Sequence, residues 1–203
     1  MATENALKIA KRVIEETGYL DLPYRKILWD SLGGENYGKT GKIEKITEGL
    51  KRRFRLSELC VNKIIHIWEF NTNNDPRLQK IMELANSYLD GKVSSDVLNN
   101  ELEKFNSFES KLIDNVFDIY PFVARAVSGV IGVALYDEAI FQVTEDDSKD
   151  DWLDHEVFDV AWMVCAIYSY SDTGLLFQDY DDKKRKEFWN WYVDEAIPSV
   201  LNS

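Results

Sequence analysis

Histidine is almost missing from this chain: His66 and His155 are the two among 203 residues. With no second histidine near either, a histidine-built zinc site is excluded, and much acid–base chemistry loses its usual carrier. Cysteine is equally scarce. Cys60 and Cys165 lie in apolar stretches without a pair motif, so they read as small core residues in a reducing compartment, not as a disulfide or a metal site. Long apolar runs are lacking too. The longest, residues 122–135, contains Arg125, Ser128 and two glycines, which is too short and too polar to span a bilayer. The opening Met-Ala-Thr-Glu-Asn shows no signal-peptide pattern, so the expectation is a soluble, cytoplasmic protein with no membrane partner.

Basic residues are what the last third has least of. Met1 to Tyr136 carries 19 basic and 19 acidic residues, whereas Asp137 to Ser203 carries 5 basic against 17 acidic, so the whole net charge of −12 falls after Tyr136. The densest part runs from Glu145 to Glu156. Such a field repels nucleic acid and anionic membrane, and it attracts a basic protein surface and speeds association with it.

What is present in quantity is helical periodicity. Ala6, Ile9, Ala10, Val13 and Ile14 share a face, and Gly18 follows as a stop signal. Asp21 and Pro23 open a second helix through Trp29 and Leu32. After a glycine-rich loop comes a basic helix with Ile43, Ile46, Leu50 and Phe54, and Ser57-Glu58 reads as the start of another through Cys60, Ile64, Ile67 and Trp68. Asp75-Pro76 starts a helix stopped by Gly91, Ser94 or Ser95 starts the next, and Pro121 opens an apolar helix to Phe141. Asp150 or Asp151 begins a helix through Val160 and Ile167, and the last runs from about Asp181 to Ile197-Pro198. Nothing alternates with period two. The expectation is an all-α fold, a compact bundle of roughly eight to ten helices forming a single domain over residues 1–203.

Several motifs imitate known chemistry. Gly33 to Thr40 satisfies the phosphate-loop pattern, and Leu135-Tyr136-Asp137-Glu138 imitates its acidic magnesium partner. The chemistry also needs a buried strand before the loop and a helix beginning at Lys39; here residues 24–32 read as an amphipathic helix and Gly41 interrupts the helix start. The reading preferred is a solvated connection, with a nucleotide-binding protein or enzyme as the alternative. Asp146, Ser148 and Asp150 alternate as in a calcium loop, but neither register supplies the required glycine and closing glutamate. Lys51-Arg52-Arg53-Phe54-Arg55 reads as a solvated face rather than a nucleic-acid patch. His66 reads as packed among apolar neighbours, and Phe188-Trp189-Asn190-Trp191-Tyr192 as core and helix-packing surface, with one tryptophan an interface anchor in the minority reading. Arg125, alone in an apolar helix, is expected to pair with a buried acid.

Taken in order, Leu22-Pro23-Tyr24-Arg25, Ile64-Ile65-His66-Ile67-Trp68-Glu69, Asp75-Pro76, Tyr88-Leu89-Asp90-Gly91-Lys92, Ala124-Arg125-Ala126 and Phe188 through Pro198 resemble the fifth family of immunity proteins of bacterial polymorphic and contact-dependent toxin systems. The resemblance implies a mostly helical, non-enzymatic protein without a cofactor, which neutralises a toxin encoded next to it. Joined to the charge distribution, it makes Glu145, Asp146, Asp147, Asp150, Asp151 and Asp154 the expected toxin-steering surface, with Trp152 an anchor, facing a basic toxin such as a nuclease. A helical adaptor is the third reading.

Overall fold

The computed structural model describes residues 2–33, 43, 45–112, 119–137, 159–170 and 180–202. Among them the structure is all-α: α1 (Ala2–Thr17), α2 (Leu22–Ser31), α3 (Glu48–Asn62), α4 (Ile65–Thr72), α5 (Arg77–Leu89), α6 (Ser95–Leu112), α7 (Tyr120–Tyr136), α8 (Val160–Tyr168), α9 (Asp182–Trp191), a π-helical turn (Tyr192–Ala196) and α10 (Ile197–Leu201). The extended pairing present is one isolated antiparallel bridge between Tyr170 and Tyr180.

The organising element is α7. Its sequence is apolar on nearly every side, and a helix of that kind has to be surrounded. Val123, Ala124, Ala126, Val127, Val130, Ile131 and Ala134 are fully buried, and α3, α4, α5, α6 and α8 all pack against it. Gly129 lets α8 come close, since a Cβ there would sit 2.9 Å from the Val160 side chain. α1 packs on α2 and α9. The aromatic C-terminal segment closes the core: Phe188, Trp189 and Tyr192 are buried, and the Trp29 indole donates to the Tyr192 hydroxyl at 2.9 Å. Those three are core, as the sequence suggests; half-buried Trp191 stacks under Lys63 at 4.3 Å. Cys60 and Cys165 are free and buried.

Local cap chemistry explains most boundaries. Gly18 takes φ +75° after α1 and Gly91 φ +74° after α5. The Asp75 carboxylate accepts from the Arg77 amide at 3.0 Å, and that of Asp181 from Lys183 and Lys184 at 2.9 and 3.1 Å.

Five boundaries differ from the sequence reading. The helix expected to carry Ile43 and Ile46 begins only at Glu48, where the Thr47 hydroxyl accepts from the Leu50 amide. Ser57 starts nothing: it lies inside α3 and its hydroxyl donates to the Arg53 carbonyl at 3.0 Å. An apolar face running through the site overrides a local cap signal, and the break comes at Lys63-Ile64 instead. α7 stops at Tyr136 because Asp137 turns left-handed, φ +53°. α8 starts at Val160, with Asp159 as its cap. At the C-terminus Pro198 does not end the helix. The preceding turn widens to π register, with the Ile197 amide bonding Tyr192, which relieves the clash a proline ring makes with the carbonyl four residues back. Arg125 does pair with a buried acid, Glu109, at 2.7 Å, though its own side chain is 44% exposed. His66 is exposed, contrary to the packed reading.

A close backbone approach joins the segment after α2 to the first turn of α3. A Cβ on Gly49 would stand 2.4 Å from the Gly33 carbonyl oxygen, and backbone on both sides leaves nothing flexible to yield. Gly49→Ala should therefore destabilise the fold by about 1–3 kcal/mol, the usual range for overpacking. Urea unfolding checks this, and an unchanged midpoint would contradict the close approach.

Candidate functional site

Glu145, Asp146, Asp147, Asp150, Asp151, Trp152 and Asp154, the sequence-predicted contact residues, lie outside the described residues, as do His155 and residues 34–40 of the phosphate-loop look-alike. What the structure does describe on either side are Asp137, eight residues before Glu145, and Asp159, three after Glu156, and both are buried aspartates held by buried arginines.

Asp137 ends α7 and is 1% exposed. Arg53, projecting from α3 and fully buried, grips it with two prongs: Nε donates to Oδ1 and Nη2 to Oδ2, each at 2.6 Å. The third guanidinium nitrogen, Nη1, donates to the Gly33 carbonyl just beyond α2. One side chain thus fastens the end of α2, the middle of α3 and the end of α7. Two parallel charge-assisted bonds fix direction as well as distance, which a lysine could not do.

Asp159 is the mirror case at the other boundary. It caps α8, with Oδ1 accepting from the Trp162 amide at 3.0 Å, while Oδ2 accepts from Arg25 Nε at 2.9 Å. Arg25 projects from α2, is fully buried, donates through Nη1 to the Leu20 carbonyl at 2.6 Å, and lies 5.6 Å from the Trp189 ring centre. The end of α7 and the start of α8, which flank residues 138–158 with their eight acidic residues and one lysine, are therefore fixed against α3 and α2.

The basic run Lys51 to Arg55 is accordingly not a uniformly solvated face, because Arg53 is its buried exception. The missed signal is legible afterwards. Leu50, Arg53, Ser57 and Cys60 share one helical face, and so do Leu22, Arg25, Leu28, Trp29 and Leu32; an arginine in the middle of an apolar face needs a buried acid.

The same geometry bears on the nucleotide alternative. The element before Gly33 is a helix where the phosphate-loop reading requires a strand. Asp137, which that reading would place on magnesium, has both oxygens engaged by Arg53. Lys39→Ala is expected to leave function intact; ATP or GTP binding by calorimetry that is abolished by this substitution would contradict the assignment.

Thiol chemistry is disfavoured at the site. Burial, then the negative charge of Asp159, pushes the Cys60 thiol well above its ordinary range, and burial raises Cys165 likewise. Tyr192 is also pushed up, by burial first and then by Cys60 and Asp159. Neither cysteine is an activated nucleophile, since activation requires a lowered pKa. No group of three or more histidine, cysteine or acidic side chains suited to a metal occurs among the described residues.

The buried pairs generate a stability prediction. Removing one partner strands the other as an uncompensated buried charge, at about 3–5 kcal/mol. Arg53→Met and Asp137→Asn should each be strongly destabilising in urea unfolding, and the double variant should cost clearly less than the two singles together. Strict additivity would show that the two groups are not coupled.

No helix among the described residues is long and apolar enough to cross a membrane. Comparison with curated proteins finds no match. The profile of the family described as immunity protein Imm5 matches residues 7–199, which takes in α1 from its second turn, every helix from α2 to α9, both buried Arg–Asp pairs and the acidic stretch between them. The chain belongs to the immunity protein Imm5 family.

Proposed function

We propose that this chain is a non-enzymatic immunity protein that binds a cognate toxin domain and neutralises it inside the producing cell, using Glu145, Asp146, Asp147, Asp150, Asp151 and Asp154 as a steering surface and Trp152 as an anchor. Family membership supports toxin neutralisation. The observation that carries the surface assignment is the position of the acidic stretch: eight acids against one lysine, bounded on each side by a buried ion pair.

The partner that fits is basic. A nuclease toxin holds phosphates, so its cleft is positive, and an acidic segment either fills that cleft or docks beside it and excludes substrate. The inhibitor itself needs no cofactor, metal or nucleotide.

Reversing Asp146, Asp147, Asp150 and Asp151 to lysine should slow association with the toxin markedly, while dissociation changes less. Added salt should slow the wild-type chain in the same sense, because exposed charges are screened beyond about 8 Å at physiological ionic strength. Stopped-flow or interferometry with the toxin domain encoded beside this chain checks both. A folded four-lysine variant that associates as fast as the wild type would sink the assignment.

A further inference from the structure

The balanced charge of residues 1–136 conceals two opposed patches, one on each side of α5. Between α3, α4 and α5 lies a groove of about 450 Å³, within the roughly 300–1,000 Å³ typical of ligand-holding clefts. Its floor is apolar, with Val61, Ile65, Trp68, Leu78 and Met82. Its rim carries Glu58, Glu69, Asp75 and Glu83, and no lysine, arginine or histidine is among the lining residues. On the opposite face of α5, a cleft of about 240 Å³ is lined by Arg77, Lys80, Lys104 and the rings of Phe105 and Phe108, with Glu101, which pairs with Lys104, as its one acid.

The rim charges are mostly uncompensated. Arg77 reaches Asp75 from outside the groove at 3.3 Å. Glu58 instead accepts from the Asn86 amide at 3.1 Å and Glu83 from the Gln79 amide at 2.9 Å, contacts that orient a carboxylate without neutralising it. The Glu69 carboxylate is exposed and has no partner among the described residues. Phe70, the next residue along the outer side of α4, is 89% exposed.

We infer that this groove is a second docking surface of the immunity protein and that it takes a basic segment of the toxin. A lysine or arginine head would bond at Glu69 and Glu83, with its aliphatic stem or an apolar neighbour lying on the Trp68–Met82 floor. Long cationic side chains combine an apolar stem with a charged head, which is the combination this groove complements. Groove-to-groove pairing of two copies would set one acidic rim against another, so the charge favours a cationic partner over self-association through this face. The inference rests on the toxin-binding reading, but not on the acidic stretch being the contact.

The test uses the full chain and the toxin domain encoded beside it, with both rate constants measured for several variants. Glu69 and Glu83 are exposed, so the double variant E69K/E83K should keep the wild-type melting temperature and raise the dissociation rate tenfold or more. K80E/K104E, on the opposite cleft, should change it less than twofold. If E69K/E83K leaves both rates unchanged while the four-lysine variant of residues 146–151 slows association, the groove is not a contact and the functional reading stands alone. If the wild-type chain fails to bind the toxin at all, both fall. Concentration-dependent self-association in light scattering, lost in both E69K/E83K and K80E/K104E, would make the occupant a second copy and overturn the assignment to the toxin.

Discussion

Two buried arginine–aspartate pairs are the constraint on which the arrangement of this protein turns. Arg53–Asp137 and Arg25–Asp159 each place a full charge of either sign in the interior, with all four residues buried. Desolvating charges is costly, and a buried pair is often no more stabilising than a well-packed apolar substitute. What such a pair does supply is direction. The bidentate grip of Arg53 and the cap geometry of Asp159 tolerate little displacement, so the end of α7 and the start of α8 take one position each against α2 and α3. The apolar α7 drives assembly of the core; the pairs decide where the chain leaves that core and where it comes back.

This division of labour bears directly on function. An inhibitor that works by electrostatic attraction has to display many like charges, and like charges resist being crowded together. The described aspartates nearest the proposed steering residues, Asp137 and Asp159, are themselves already neutralised by buried arginines. Asp137 and Asp159 hold the chain on either side of residues 138–158 against α3 and α2. The acidic groove beside α5 sets carboxylates on packed helices, with Glu58 and Glu83 oriented by side-chain amides.

The legible part of the fold was the part written locally. Gly18, Asp75, Gly91 and Asp181 mark helix ends because cap chemistry depends on the three or four neighbouring residues, and the apolar stripe of α7 announces a central helix by itself. The Ser57-Glu58 signal misled for the same reason: it is real chemistry, overridden by an apolar face continuing from Leu50 to Val61. Both ion pairs were invisible as pairs, since their partners lie 84 and 134 residues apart. Only the arginine half was legible, as a charge on an apolar stripe. That logic was applied to Arg125, where the buried member is the acid, Glu109. The split charge around α5 was hidden for a different reason, because a net count over residues 1–136 sums two patches that helix packing keeps apart. The residues proposed to meet the toxin were read from charge density alone.

Hydrogen–deuterium exchange of the chain, free and bound to its toxin domain, tests the central claim most directly. The account predicts that binding slows exchange across residues 138–158 and leaves the amides of α1 and α9, which belong to neither proposed contact surface, unchanged. Protection confined to α1 and α9, with residues 138–158 exchanging as fast in the complex as in the free chain, would contradict it.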